Sequence, residues 1–272
     1  MQRNDPRVVL ITGASSGIGL ACAVYLAAHG FRVYGTSRRP ETASPANVTM
    51  LTADVTDDRS VEQVVATVLD REGRLDIVVN NAGMGVAGAV EGTSIAEAKS
   101  QFEVNFFGTL RVCRAVLPAM RLQQSGYIIN MGSIGGLVAI PYQAMYSASK
   151  FALEGLSEAL RMEVKPFGIR VVLIEPGDHK TDLTKNRRLA EISTEAYRAS
   201  FAIAMAKTEH DEQSGPGPEQ IARLLHRIVN TRNPRLRYTI GPVMQRAAVW
   251  LKRLAPNSLS EYSMRSYYGI GG

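Results

Sequence analysis

The chain has 272 residues, 45% hydrophobic and 21% charged, with a formal net charge of +6. These proportions are ordinary for a soluble globular protein and exclude a disordered or fibrous chain. No apolar run approaches the length of a membrane span, and Met1 to Pro6 leads straight into the first predicted strand with no room for a signal peptide, so a cytoplasmic protein is expected.

In chain order, Arg7–Thr12 is a β-branched apolar run that reads as a strand. Ile18–His29 follows with apolar residues at helical spacing until Gly30 stops it. Between them lies the turn Thr12-Gly13-Ala14-Ser15-Ser16-Gly17-Ile18-Gly19. A strand, a glycine turn and a helix make a phosphate cradle, because glycines let backbone N–H groups approach and a helix N-terminus attracts anions. The spacing is G-x-x-x-G-x-G rather than the common G-x-G-x-x-G, and a plain turn is the competing reading of this segment alone.

Further strands are predicted at Phe31–Thr36 and Val48–Thr52, then a helix at Arg59–Glu72, a strand at Leu75–Val79 and one long helix through Ser100–Gln123. A strand ending near Met131, a helix over Tyr142–Lys165 and a strand at Arg170–Glu175 continue the pattern. This alternation predicts an α/β fold with one doubly wound parallel sheet and helices on both faces. No linker interrupts it, so residues 1–272 are expected to form a single domain. Cys22 and Cys113 fall within predicted helices and read as reduced, buried thiols. Four histidines without ligand spacing give no metal site.

Ser133 ends the apolar run Gly126–Met131 and Gly132, which places it at a strand's carboxyl end, where ligands of open α/β sheets bind. Tyr146 and Lys150 follow, four residues apart and therefore on one face of a helix. An ammonium beside a phenol favours the phenolate and lowers its pKa from about 10. Tyr146 is thus expected to serve as an acid or base near neutral pH. The Tyr-x-x-x-Lys spacing alone is weak; its position after that strand gives it weight.

Together these features resemble the short-chain dehydrogenase/reductase family. The family's T-G-x-x-x-G-x-G is met at Thr12–Gly19, its N-N-A-G at Asn80-Asn81-Ala82-Gly83 and its helix asparagine at Asn105. Its serine is Ser133, its Y-x-x-x-K runs from Tyr146 to Lys150, and its P-G after the sixth strand is Pro176-Gly177. The resemblance implies a Rossmann-like sheet of about seven strands in the order 3-2-1-4-5-6-7. It also implies a catalytic set: Tyr146 donating to a developing alkoxide, Ser133 bonding the same oxygen, Lys150 holding the ribose, and Asn105 holding a water that relays protons from Lys150. Cofactor contacts carried over in the same way are Gly13, Ser15, Ser16, Gly17, Ile18, Gly19, Asn81, Ala82, Gly83, Tyr146, Lys150, Pro176, Gly177 and Thr181, with Asp54 and Val55 at the adenine.

At the end of the second strand an acidic residue would bond a ribose 2′-hydroxyl, whereas arginine suits a 2′-phosphate. Here Tyr34-Gly35-Thr36-Ser37-Arg38-Arg39 has no acid. By resemblance Ser37 takes the acid's place and Arg38 the phosphate position, so NADP(H) is the expected cofactor.

Residues 181–218 lie where the family builds its substrate lid, with Tyr197, Phe201, Ala204 and Met205 as an apolar stripe and Gly215-Pro216-Gly217-Pro218 as a hinge. Met84, Ile134, Val138 and Tyr142 are further candidate substrate contacts, and Asp178-His179 departs from the apolar residue usual after Pro-Gly. The leading expectation is an NADP(H)-dependent oxidoreductase of an apolar alcohol and its ketone or aldehyde, similar to the hydroxysteroid and retinol dehydrogenase branch. A 3-oxoacyl-carrier-protein or acyl-CoA reductase is the alternative. Intact Asn105, Ser133, Tyr146 and Lys150 disfavour a non-catalytic NADP-sensing module.

The helices at about 100–123 and 142–165 are those through which the family forms homodimers and homotetramers. Residues 231–272 hold seven basic side chains against Glu261 alone. In the appendage at about 242–272, Arg246, Lys252 and Arg253 share a predicted helix with an apolar stripe including Trp250, as interfacial helices do. Contact with an anionic membrane or an acidic carrier is therefore expected there, with packing on the domain as the competing reading. Nothing points to nucleic acid.

Overall fold

A computed structural model describes residues 5–39, 45–181, 187–190 and 195–270. Parts of the expected lid, 182–186 and 191–194, lie outside the described residues. The central sheet is built from β1 (Val8–Ile11), β2 (Arg32–Ser37), β3 (Val48–Thr52), β4 (Ile77–Asn80), β6 (Gly126–Met131), β7 (Ile169–Pro176) and β9 (Arg237–Ile240). Its order is β3-β2-β1-β4-β6-β7-β9, with every pair parallel. This is the expected seven-strand order. A second, two-stranded parallel sheet, β5 (Val86–Ala87) with β8 (Arg188–Leu189), was not legible because runs of two residues carry no periodicity.

β1 and β4 are buried along their whole length, which accounts for the apolar runs Val8–Ile11 and Ile77–Val79, while buried Asn80 at the end of β4 donates to Asn130 Oδ1 at 2.9 Å. Successive side chains leave the sheet on opposite faces. Val8 and Leu10 join a core with α2 (Asp58–Glu72), α4 (Gly108–Gln123) and α5 (Ala144–Val164). Val9 and Ile11 join another with α1 (Gly17–Ala28) and α7 (Glu219–Val229). Cys22 and Cys113 lie in these cores as free thiols, each pushed up to about 12 by burial.

The expected long helix over 100–123 is three pieces. α3 (Ile95–Phe102) starts at a Ser94/Glu97 capping box, a π-helical turn follows over Glu103–Phe107, and α4 resumes at Gly108. The extra residue of a π turn re-aims the helix at Asn105, a shift that periodicity does not encode. α5 starts at Ala144 rather than Tyr142, because Tyr142 has φ +60°, outside helical space.

α6 (Glu195–Ser214) precedes α7, and α8 (Val243–Leu254) and α9 (Asn257–Tyr267) follow β9. The basic residues of the tail do not form one surface, which corrects the expectation of a single basic appendage. Arg232 and Arg235 precede β9, at the amino end of the sheet. Arg237 is committed to Glu154, Glu158 and Glu175. Only Arg246, Lys252, Arg253 and Arg265 lie on the last two helices.

Candidate active site

All seven strands point their carboxyl ends the same way, and there a cavity of about 1280 Å³ opens. One end begins at the glycine turn. Gly13 and Gly17 have φ of +66° and +54°, in the left-handed region that favours glycine. A Cβ on Gly19 would lie 2.2 Å from the Gly13 carbonyl oxygen, so that glycine closes the turn on itself rather than facing the cavity. Asn81 braces the turn: its Nδ2 donates to the oxygens of Thr12 (3.0 Å) and Gly13 (2.9 Å). Thr12 Oγ1 accepts from the amides of Asn81 and Ala82, each at 3.0 Å. The N-N-A-G motif and the glycine turn are therefore one construction.

α1 is preceded by Ser16 at its N-cap, which makes no side-chain cap hydrogen bond, and has no acidic residue in its first turn. Its first N–H groups are thus left for an anion. Gly13, Ser15, Ser16, Gly17 and Ile18 line the cavity there, with Ser37, Arg38, Asp54 and Val55 beyond them and Ala82 and Gly83 alongside. Asp54 is partly committed, since its Oδ1 accepts from the amide (2.9 Å) and hydroxyl (2.7 Å) of Thr56. A dinucleotide fits this donor set: an uncapped helix end for its phosphates, a carboxylate for an exocyclic amine, and an arginine, Arg38, on the same wall.

The middle of the cavity holds Ser133, Tyr146 and Lys150, joined by Pro176, Gly177 and Thr181. Ser133 sits in the turn after β6, its Oγ accepting from the Gly135 amide at 2.9 Å. The phenol does not behave as the sequence suggests. Burial holds Tyr146 above the usual tyrosine range, the carboxylates of Glu212 and Asp178 add to this, and a hydrogen bond with Ser133 opposes it. Lys150 Nζ donates to the Met131 carbonyl at 2.7 Å and lies 5.8 Å from the centre of the tyrosine ring. Burial also lowers Lys150 to about 8, against the attraction of Glu154. The expected depression of the phenol by the ammonium is therefore absent, and Tyr146 carries its proton at neutral pH.

Asn105 is 1% exposed and stands off the cavity wall. Its Oδ1 accepts from the Met84 amide (2.9 Å), and its Nδ2 donates to the Met84 carbonyl (3.1 Å) and Ser149 Oγ (3.1 Å). Its side chain thereby ties the N-N-A-G loop to α5, one turn from Tyr146.

On the substrate side Met84, Ile134 and Val138 line the cavity as expected. Tyr142 does not; its hydroxyl meets Ser200 at 2.6 Å and its ring packs edge-on to Phe201. The stripe of Phe201, Ala204 and Met205 is buried, and Phe201 and Met205 pack against Ala87 and Tyr142, so α6 spends that stripe on the fold. From α6 the cavity receives Thr208 and Glu212 instead. Its far wall is α8 and α9, through Met244, Ala248, Leu251, Leu254 and Met264.

α8 is clamped to the end of β7. The Asp178 amide donates to Gln245 Oε1 at 2.8 Å, and Gln245 Nε2 donates back to Asp178 Oδ2. Burial raises Asp178 to about 6, with Glu212 and Asp211 adding to it. His179 is buried, its Nδ1 paired with the Gly177 oxygen at 2.9 Å. Sequence reasoning missed Glu212, Thr208 and Gln245, since one acid among several on a polar helix carries no signal.

The comparisons with known proteins agree with this geometry. The short chain dehydrogenase family model matches residues 7–192. The chain is 44% identical over 268 residues to a 3-ketodihydrosphingosine reductase of Bacteroides thetaiotaomicron, covering 98% of this chain and 99% of that protein. It is 36% identical to 17-beta-hydroxysteroid dehydrogenase type 1 of Mus musculus, over 86% of this chain and 73% of that one. A solved short-chain dehydrogenase from Streptomyces avermitilis superposes with a TM-score of 0.83 at 35% identity, over 98% of this chain and all of that one. A cradle built from the glycine turn and Asn81, opening onto Ser133, Tyr146 and Lys150, belongs with those matches, and the chain is a member of the short-chain dehydrogenase family, oxidoreductases that act on CH–OH groups.

Proposed function

We propose that this enzyme uses NADPH to reduce a long-chain ketone carrying an amine beside the carbonyl, a 3-ketosphingoid base, to its alcohol. The observation that carries this reading is the carboxylate of Asp178, which lines the same cavity as Tyr146 and is neighboured there by Glu212, itself paired with Arg187, while the far wall is apolar. A ketone flanked by an ammonium and continued by an alkyl chain has three parts for these three surroundings. The 44% identity to a 3-ketodihydrosphingosine reductase over nearly the whole of both chains supports the same class.

A reduced nicotinamide supplies a hydride when bound. Gly13, Ser15, Ser16 and Ile18 would hold its phosphates, Lys150 a ribose, and Arg38 a 2′-phosphate. Tyr146, protonated at neutral pH, gives its proton to the ketone oxygen as that oxygen gains charge, and Ser133 donates a second hydrogen bond to it. Apolar residues of α8 and α9 exclude water from the chain end. The substrate's ammonium faces Asp178, whose carboxylate Gln245 orients.

NADPH oxidation should be fast with 3-ketodihydrosphingosine and slow with 3-oxoacyl thioesters of equal chain length; the reverse order would favour the acyl reductase reading. Asp178→Asn keeps the hydrogen bond to Gln245 but not the charge. It should raise KM for the amino ketone about tenfold or more, from the loss of a charge-assisted contact, and leave an amine-free ketone of the same length nearly unchanged. Equal effects on both ketones would remove Asp178 from recognition.

Cofactor choice has its own test. Ser37→Asp with Arg38→Ala should shift preference from NADPH toward NADH. A charge-assisted bond of about 1.5–3 kcal/mol corresponds to roughly 10- to 150-fold. If the parent enzyme already prefers NADH in kcat/KM, Arg38 does not read a phosphate.

A further inference from the structure

Among the described residues 15 large apolar side chains are exposed, and six of them fall on α8 and α9: Val243, Met244, Trp250, Leu254, Leu259 and Tyr262. That clustering is not needed for the fold. The inner side of α8 is already spent, with Val249 packed against Ile134 and Val138 and Gln245 bonded to Asp178. Val243, Ala247, Trp250 and Leu254 recur at i, i+4, i+7 and i+11 and form one outward stripe, in which Trp250 is 63% and Leu254 81% exposed. Ala247, Trp250 and Leu254 also line the cavity, so the stripe forms its rim.

Charge lies along the same rim. Arg246 and Arg253 are exposed on α8 beside the stripe, Lys252 lies on the opposite side of the helix, and that helix contains no acidic residue. The Arg253 guanidinium lies 5.8 Å over the Trp250 ring, beside the stripe. A partner must therefore accept apolar chains and an indole while presenting negative charge around them. A bilayer with anionic headgroups does both: aliphatic side chains enter the acyl boundary, tryptophan sits at headgroup level, and basic residues meet phosphates.

We infer that the outer face of α8, with Leu259 and Tyr262 of α9, docks on an anionic membrane surface and holds the cavity rim against the acyl layer. An apolar substrate then enters from lipid without crossing water. This goes beyond the proposed reaction and does not depend on which ketone is reduced. No helix among the described residues is long and apolar enough to cross a membrane, so the contact is peripheral.

Flotation of the full chain with vesicles tests it directly. The protein should float with phosphatidylcholine vesicles containing one third phosphatidylglycerol at ~0.1 M salt. At ~1 M salt, where the Debye length shrinks from about 10 Å to about 3 Å, binding should largely disappear. Arg246→Gln with Arg253→Gln should weaken it about tenfold or more, with turnover of a water-soluble short ketone unchanged as the check on folding. Val243→Ser with Tyr262→Ser should weaken it independently and stands in if the charge variant does not fold. Failure of the parent to float on anionic vesicles at ~0.1 M salt, equal flotation on neutral vesicles, or parent-like flotation of a folded charge variant would overturn the proposal. So would a non-floating parent whose mass by light scattering falls in Val243→Ser/Tyr262→Ser, since the face would then join two copies of the chain. A non-floating parent whose charge variant loses turnover only with carrier-linked substrates would overturn it in favour of an acidic carrier.

Discussion

Tyr146→Phe should lower kcat by about 10²- to 10⁴-fold, the usual contribution of a positioned general acid, while the affinity for the reduced nicotinamide cofactor and the melting temperature stay near those of the parent. The expectation rests on protonation. Burial, with the carboxylates of Glu212 and Asp178 adding to it, holds the phenol above its ordinary range, so at neutral pH it carries the proton that the proposed reduction would consume. Phenylalanine keeps the ring and removes only that proton. Oxidation of the alcohol needs the phenolate instead, so its rate should climb as pH rises toward the tyrosine pKa, while reduction should not. Single-turnover hydride transfer measured with the reduced nicotinamide cofactor held saturating separates chemistry from binding. A variant within tenfold of the parent would assign the proton to another group.

The second large effect is on stability. Arg237 of β9 donates from Nε to Glu154 Oε2 at 2.8 Å, pairs with Glu158, and lies 3.3 Å from Glu175 Oε1. Glu175 is fully buried and Glu154 is 7% exposed. Thr239 Oγ1 donates to Glu175 Oε2 at 2.7 Å, but Arg237 is the cation that these two buried acids share. Arg237→Leu leaves both without it and should cost about 3–5 kcal/mol, as breaking one side of a buried ion pair does. The melting temperature should drop by on the order of 10 °C.

The loss should depend on pH. Burial and then Glu175 raise Glu154 from 4.5 to about 7, against the pull of Arg237. Between those values the folded chain keeps a proton that the unfolded chain has released, so this group's contribution to stability falls as pH rises through the window. Without the arginine the folded-state value climbs further. The gap in melting temperature between parent and variant should therefore widen from about pH 5 to about pH 8. Adding Glu154→Gln should recover part of the loss, because it removes one of the stranded charges. A gap that is small and flat with pH would mean that solvent already screens the cluster.

Because Glu154 stands one helical turn from Lys150 and two from Tyr146, the same cluster underlies the active site. Tyr146, Lys150, Glu154 and Glu158 recur every four residues along α5. Kinetic measurements on the Arg237 variant therefore belong well below its melting temperature, where an altered rate reflects Lys150 rather than unfolding.

Local spacing determined a good deal about this protein by itself. Short, buried strands are dominated by apolar residues, so β1 (Val8–Ile11) and the apolar part of β4 (Ile77–Val79) stand out in the sequence. A glycine turn between a strand and a helix must be a cradle or a turn, and Thr12 to Gly19 kept both readings within a short stretch. Tyr146 and Lys150 share a helix face because four residues are close to one turn. What is fixed by contacts distant in sequence was invisible there. Asn81 reaches 69 residues back to hold Thr12, and the π turn that re-aims the helix at Asn105 has no periodic signature. The phenol's proton affinity also needed the fold: neighbour spacing suggests an ammonium lowering it, whereas burial, with Glu212 and Asp178 arriving from other elements, raises it. Seven basic residues in the tail read as one patch on paper, yet the chain crosses the sheet between Arg235 and Arg246, sending some to the far end and pairing the half-buried Arg237 with the carboxylates of Glu154, Glu158 and Glu175. Periodicity reports a single element's face; only the packing of elements decides what that face meets.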